Sequence, residues 1–153
     1  PYREYKNWSQ EGGIKTPLIA YWPDKIKNKG IISHKVIHFI DFLPTFKEII
    51  DAKYPKKFNG DNIIPLPGKS FLRQMLGDNS TDRNTPIFWQ WKSGKAVRNE
   101  NWKLVAYNNI WELYNLEKDP VEEINLIDTE IEIATQLKSL YEGWASQFEI
   151  SEK

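Results

Sequence analysis

The residues best placed to do chemistry lie in the stretch from Lys6 to Pro23, KNWSQEGGIKTPLIAYWP. Lys6 stands five positions ahead of an acid, Glu11, and Gly12 and Gly13 follow that acid directly. Paired glycines reach backbone angles closed to other residues, so the pair predicts a flexible corner. Residues 18–22, LIAYW, form an unbroken apolar run between Pro17 and Pro23. A run with no polar alternation suits a short strand buried on both faces of a parallel or mixed sheet. An ammonium beside a glycine corner at the end of such a strand is a common way to build an anion site. Glu11 has a structural reading: it bonds backbone at the corner or pairs with Lys15.

Other candidates carry less. His34 and His38 are four apart, which on a helix puts two imidazoles on one face for a metal. Their segment is β-branched and strand-like, however, and no third ligand is evident, so no metal site is assigned. Gly68-Lys69-Ser70 shares part of a phosphate-loop pattern, but the glycine required upstream is missing.

The elements that must position these residues change character along the chain. Residues 1–17 read as loop and residues 18–22 as the buried strand. Residues 23–30 form a basic connection, and residues 31–40 a second short strand or the lead into a helix. Asp41 is the expected N-cap of a helix to about Ala52, with Pro44 in its first turn and Phe42, Leu43, Phe46, Ile49 and Ile50 as an apolar stripe. Residues 53–68 read as an irregular loop, and residues 71–76 as a short helix stopped by Gly77. A polar linker, residues 78–84, leads to a boundary at 84. Beyond it, residues 86–91, 95–98, 102–107 and 110–115 are expected to pair as an antiparallel meander joined by Asn-rich turns. The last expected element is an amphipathic helix from about Glu130 to Phe148. Thr129 and Glu132 supply a capping box, and Ile131, Ala134, Leu137, Leu140, Tyr141, Trp144 and Phe148 form its apolar face. The fold class read from this pattern is α/β passing into α+β. The boundary divides residues 1–84 from residues 85–153, and the latter form a small antiparallel sheet packed by a long helix.

Composition removes several function classes. The chain has 153 residues, with 21 basic and 21 acidic side chains, so no net charge argues for nucleic acid or an anionic membrane. It contains no cysteine, which excludes disulfides, thiolate metal sites and cysteine nucleophiles from these residues. No stretch approaches the roughly 20 apolar residues of a membrane span. Seven Trp, seven Tyr and seven Phe supply rings mostly for core and seams. Trp89, Trp91, Trp102 and Trp111 lie on expected strands, where they read as core, though alternation turns some of them outward. The chain opens on Pro1 rather than Met and runs straight into motif-like sequence, so a piece of a longer protein is expected.

In order and spacing, the motifs resemble those of the type I sulfatase (arylsulfatase) family. Lys6 with Glu11-Gly12-Gly13 is similar to that family's substrate-binding lysine before EGG and a strand. Asp41-Phe42-Leu43-Pro44-Thr45 resembles its helix-opening motif, and Gly68-Lys69-Ser70-Phe71-Leu72 its GxSL segment. Ala96-Val97-Arg98 with Trp102-Lys103-Leu104-Val105 resembles its AVR and WKLV hairpin. Trp111 to Leu116, then Asp119-Pro120 and Asn125-Leu126, resembles its ELYDLxxDPxExxNL tract.

The resemblance implies an alkaline-phosphatase-like fold, with this chain as the end of the large domain plus the whole small C-terminal subdomain. It implies a sulfuric ester hydrolase as the parent, acting on aryl sulfates or sulfated glycans, with Lys6 binding sulfate and stabilising the transition state. It also implies a formylglycine nucleophile, made from Cys or Ser in a C/S-x-P-x-R motif, and a divalent cation, usually calcium. No such motif occurs in these residues, and the metal-binding carboxylates are missing. An N-terminal catalytic portion is therefore the expected partner, and these residues alone are expected to be inactive, with Lys6 disordered near the chain start. A periplasmic or secreted location follows from the same resemblance. Arg98 and Lys103 read as surface charges, or as reaching toward an acidic or sulfated substrate. The competing readings are a non-catalytic docking or carbohydrate-binding module, and a phosphoryl-transfer relative on the same fold.

Overall fold

The computed structural model of the chain describes residues 1–78, 80 and 83–148. In chain order its elements are α1 (Glu11–Ile14), α2 (Phe42–Ile49), β1 (Lys57–Phe58), β2 (Asp61–Asn62) and α3 (Leu72–Met75). They continue with β3 (Ile87–Trp91), β4 (Gly94–Asn99), β5 (Trp102–Tyr107), β6 (Ile110–Asn115) and α4 (Ile131–Ala145). They gather into two compact units. One joins Pro1–Leu18 to the described residues from Asn84 onward, and the other is Ile19–Arg83. Residues 1–18 thus pack with the later residues rather than with those that follow them directly.

In the first unit β3-β4-β5-β6 is the expected antiparallel meander, in sequence order. Two-residue turns join the strands, and the positive φ of Asn108 (49°) and Asn109 (63°) matches the right-handed twist of hairpin strands. Alternation gives the sheet two covered faces. Val97, Leu104 and Leu113 lie in cross-strand register and pack against Leu137 and Tyr141 of α4. Trp144 of α4 stacks flat on Phe88, with centroids 5.0 Å apart. The opposite face carries Ala96, Val105 and Tyr114, with Trp89 and Leu116 against them. The sheet-plus-helix unit and the α+β class are as the sequence predicts.

α4 is shorter than expected, and a 3-10 turn, Ser146–Phe148, extends it. Its capping box does not form. The helix begins one residue later than read, no side chain caps it, and the Thr129 hydroxyl donates instead to the Leu126 carbonyl at 3.1 Å.

The second unit is organised by Asp41. Its carboxylate does not cap α2, as expected, but turns back. It accepts from the His38 N–H (2.7 Å) and the Lys69 N–H (2.8 Å), and Arg83 bonds both of its oxygens. Thr45 extends the knot, donating to the Asp41 carbonyl at 2.7 Å and accepting from the Phe71 N–H at 3.0 Å. His38 itself caps the 3-10 turn Phe39–Asp41, so residues 31–40 are a lead into the helix and not a strand. Inside the expected irregular loop, Asn59 and Gly60, both at positive φ, close a small hairpin of β1 and β2.

Two expectations about burial fail. Residues 18–22 form no strand, and Ile19 and Tyr21 are 90% and 87% exposed. An apolar run becomes a buried strand only where neighbours supply donors and acceptors on both sides. No described strand pairs with this one, and Pro17 and Pro23 at its ends lack N–H groups. The apolar stripe of α2 is only partly covered: Leu43, Phe46 and Ile50 are exposed, Phe42 and Ile49 are half-buried, and the buried residues of the helix are Pro44 and Thr45.

Candidate functional site

The site begins with a loop, residues 3–8, that lies on the sheet face opposite α4. Arg3 fixes its start. The guanidinium donates to the Tyr114 hydroxyl and to Glu112 Oε1 (3.1 Å), and pairs with Glu112 Oε2 at 3.0 Å. The Glu112 hydrogen bond raises the Arg3 pKa, against the opposing effect of burial. Burial, helped by the Glu112 charge and opposed by Arg3, pushes the Tyr114 hydroxyl up to about 12. Trp8 fixes the other end, its ring 4.3 Å from that of Tyr107. The chain reverses between these anchors through Glu4 and Asn7, both at positive φ, and the Trp8 N–H donates to the Tyr5 carbonyl at 3.1 Å. Lys6 lies between them, exposed together with Glu4, Tyr5 and Asn7, and is the one cation among these four.

The two glycines act differently from the sequence expectation. They are not a flexible corner but part of α1, and neither has positive φ. Their role is close approach. A Cβ on Gly12 would stand 2.1 Å from the Glu4 carbonyl oxygen, and one on Gly13 would stand 2.0 Å from that of Trp8. The Gly12 N–H donates to the Arg3 carbonyl at 2.8 Å. The backbone of the Lys6 loop thus rests directly on the bare backbone of α1. Where the sequence reading expects disorder at Lys6, its loop is held at both ends.

α1 is in turn held by a buried charge cluster. Lys103 Nζ lies 2.9 Å from Glu11 Oε1 and 2.7 Å from Glu122 Oε1. Glu122 Oε2 accepts the Glu11 backbone N–H at 2.7 Å. Lys103 is 0% exposed, so the reading of it as a surface charge is wrong. On β5 it shares a face with Val105, and residues 1–18 cover that face. Glu122 Oε1 has no aligned hydrogen bond despite its closeness to Lys103, so that contact is ionic rather than directional. The expected pairing of Glu11 with Lys15 is present at 3.8 Å, beside the stronger contact to Lys103. Arg98, across the ladder from Lys103, is half-buried, and burial lowers its pKa against the pull of Glu11. Its Nε donates to the Glu100 carbonyl at 3.0 Å.

The structure does not bring the other candidates to this loop. His34 and His38 share no helix face, and burial lowers the His38 pKa. The backbone of Gly68-Lys69 serves the Asp41 knot: a Cβ on Gly68 would meet the Ile40 carbonyl oxygen at 2.0 Å. Among the described residues no group of three or more His, Asp or Glu could hold a metal ion.

Sequence reading missed Arg3, Glu112, Tyr114 and Glu122 as supports of the loop. One signal was available. A lysine at an inward position of a strand as apolar as WKLVAY requires a buried partner.

The chain is similar to known proteins over nearly its whole length. Residues 4–145 match the family described as N-sulphoglucosamine sulphohydrolase, C-terminal. An uncharacterized sulfatase of Schizosaccharomyces pombe is 30% identical, covering 94% of this chain and 26% of its own length. The ulvan-active sulfatase of Formosa agariphila is 32% identical, with 74% of this chain and 29% of the relative covered. A solved structure from Bacteroides thetaiotaomicron, a 6S-sulf protein of a locus for metabolism of multiple glycosaminoglycans, superposes with a TM-score of 0.75 at 25% identity. It covers 95% of this chain and 32% of that protein. The chain therefore spans about a quarter to a third of the length of the relatives it matches. With all five of its motif segments inside the matched region, the chain belongs to the type I sulfatase family, as its C-terminal portion with an alkaline-phosphatase-like fold.

Proposed function

We propose that this chain supplies the sulfate-gripping lysine of an enzyme that hydrolyses sulfate esters on a glycan. The observation that carries the reading is the placement of Lys6: exposed, between two anchored ends, on a loop pressed onto the glycine pair of the EGG motif. Cleaving a sulfate ester builds negative charge on the sulfate and leaving-group oxygens. An ammonium already fixed in place stabilises that charge without reorganising, most strongly where water is excluded. Lys6 binds and orients the sulfate, and α1 with the sheet beneath holds it there. The glycan as substrate is supported by relatives named for ulvan and for glycosaminoglycan metabolism. A polymeric substrate of this kind fits a periplasmic or secreted enzyme.

In this reading the nucleophile and metal of the family come from residues outside this chain, so the chain alone is inactive. The test is release of inorganic sulfate from sulfated polysaccharide and from an aryl sulfate, by the whole enzyme and by this chain. Sulfate release by the whole enzyme and none by the chain is expected. Turnover by the chain that Lys6→Ala abolishes contradicts the division of labour, and a whole enzyme that cleaves only phosphate esters contradicts the substrate class.

One observation favours a docking role beside the catalytic one: the apolar run of residues 18–22 is open to solvent. A module that only binds glycan would retain sulfated polysaccharide saturably and release no sulfate in any longer form.

A further inference from the structure

We propose that Glu122, acting through Lys103 and Glu11, is a positioning residue for the Lys6 loop; this rests on the sulfate-binding reading of Lys6. Three sequence segments far apart in the chain meet at one point. Lys103 comes from β5, Glu11 from the head of α1, and Glu122 from the turn after Asp119-Pro120. All three side chains are buried, Glu122 at 1% exposure.

Stability alone is a poor reason for such a cluster. Taking three charges out of water costs several kcal/mol per ion, and apolar replacements of similar volume are often as stable or more so. What the cluster provides is direction. Glu122 is held at a φ of 63°, uncommon for a glutamate. The Asp119 carboxylate holds that turn, accepting from the Glu123 N–H (2.8 Å) and the Ile124 N–H (2.9 Å). So aimed, one Glu122 oxygen takes the first N–H of α1 and the other meets the Lys103 ammonium. Lys103 then takes the Glu11 side chain. Backbone and side chain of Glu11 are both fixed, and so is the start of α1.

The next two residues are the glycines on which the Lys6 loop rests. Their contacts to the Glu4 and Trp8 carbonyls leave no room for α1 to shift without moving the loop. A displacement at Glu122 therefore reaches Lys6 through backbone, not through a mobile side chain. An ångström of misplacement at a group that grips the transition state is enough to cost rate.

The test is a double-mutant cycle in the whole enzyme, with hydrogen exchange on the same proteins. Glu122→Ala removes the acceptor of the Glu11 N–H and one partner of Lys103. Glu122→Gln keeps an acceptor for that N–H. Glu122→Ala should lower kcat/KM about tenfold in the Lys6 protein and less than about twofold in the Lys6→Ala protein, because the effect passes through Lys6. Glu122→Gln should recover most of the loss. Exchange of the Gly12 amide, bonded to the Arg3 carbonyl, should quicken about tenfold in Glu122→Ala while the Leu104 and Leu113 amides hold.

An equal loss in both Lys6 backgrounds overturns the proposal, and so does a Gly12 amide that keeps its protection. A Lys6→Ala enzyme with full activity sinks the sulfate-binding reading instead. The Gly12 amide then still reports whether Glu122 places the loop, so the two failures are separable.

Discussion

Replacing Gly12 with Ala sets two physical effects against each other. By helix propensity alone, Gly→Ala inside a helix stabilises by about 1 kcal/mol. The packing at Gly12 opposes this. The added Cβ would stand 2.1 Å from the Glu4 carbonyl oxygen and 2.5 Å from that of Arg3. Both obstacles are backbone, so no side chain can swing aside. Forcing a methyl into such a site costs about 1–3 kcal/mol. Pushing the loop away also sacrifices the 2.8 Å bond from the Gly12 N–H to the Arg3 carbonyl, worth about 1 kcal/mol. The sum is a net loss of about 1–3 kcal/mol, opposite in sign to propensity. Gly143 in α4 is the internal control, because a Cβ there meets nothing within 4 Å. Gly143→Ala should gain up to about 1 kcal/mol. Urea unfolding followed by tryptophan fluorescence measures both, and at a slope near 2 kcal/mol per M the two midpoints should move apart by about 0.5–2 M. A Gly12→Ala protein as stable as the parent, or more so, would falsify the claim that the Lys6 loop rests on the α1 backbone.

Three further outcomes follow from the packing. Lys103→Met leaves Glu11 and Glu122 buried without their cation and should cost about 3–5 kcal/mol in urea unfolding, whereas Lys103→Met with Glu11→Gln and Glu122→Gln should return to within about 1 kcal/mol of the parent; equal losses would contradict the cluster. The Tyr114 hydroxyl, moved from 10.0 to about 12, keeps its proton longer when folded than unfolded. Burial penalises the phenolate, so the fold loses stability as pH rises from 10 to 12; the urea midpoint of the parent should fall relative to that of Tyr114→Phe over that window, and parallel curves would refute it. Asp41→Ala removes the carboxylate acceptor of the His38 and Lys69 amides, and their hydrogen exchange should quicken about 100-fold; unchanged exchange at both would show that the knot does not hold its unit.

Much of the first unit was legible because its signals are local and periodic. Residues 102–107 alternate between two faces, and the Asn108-Asn109 pair accepts the backbone angles a hairpin turn needs. Leu137, Tyr141 and Trp144 recur at helical spacing and face the sheet together. The order of the motifs placed the chain in its family, since five short patterns in register are far more specific than any one. The failures share a different cause: each depended on what lay across from a residue. Residues 18–22 have the composition of a buried strand, and composition does not supply the neighbours. Lys103 looks like any hairpin lysine until residues 1–18 are seen to cover its face. The glycine pair was read for its torsional freedom, when its use is the absence of a side chain beneath another backbone. Asp41 was read as a cap for the helix after it, because nothing in the sequence reveals that Arg83, 42 residues on, draws its carboxylate backward. Two local signals were overlooked, the Asn59-Gly60 hairpin and the lysine inside the apolar run WKLVAY.

Whether the Lys6 ammonium meets the reacting sulfate is measured most directly by kcat/KM of the whole enzyme carrying Lys6→Ala. Removing one preorganised charge from a transition state costs about 100-fold or more, so a loss of that size is expected, together with weaker inhibition by free sulfate and an unchanged urea midpoint. Activity within about twofold of the parent, in a protein equally stable, would contradict it.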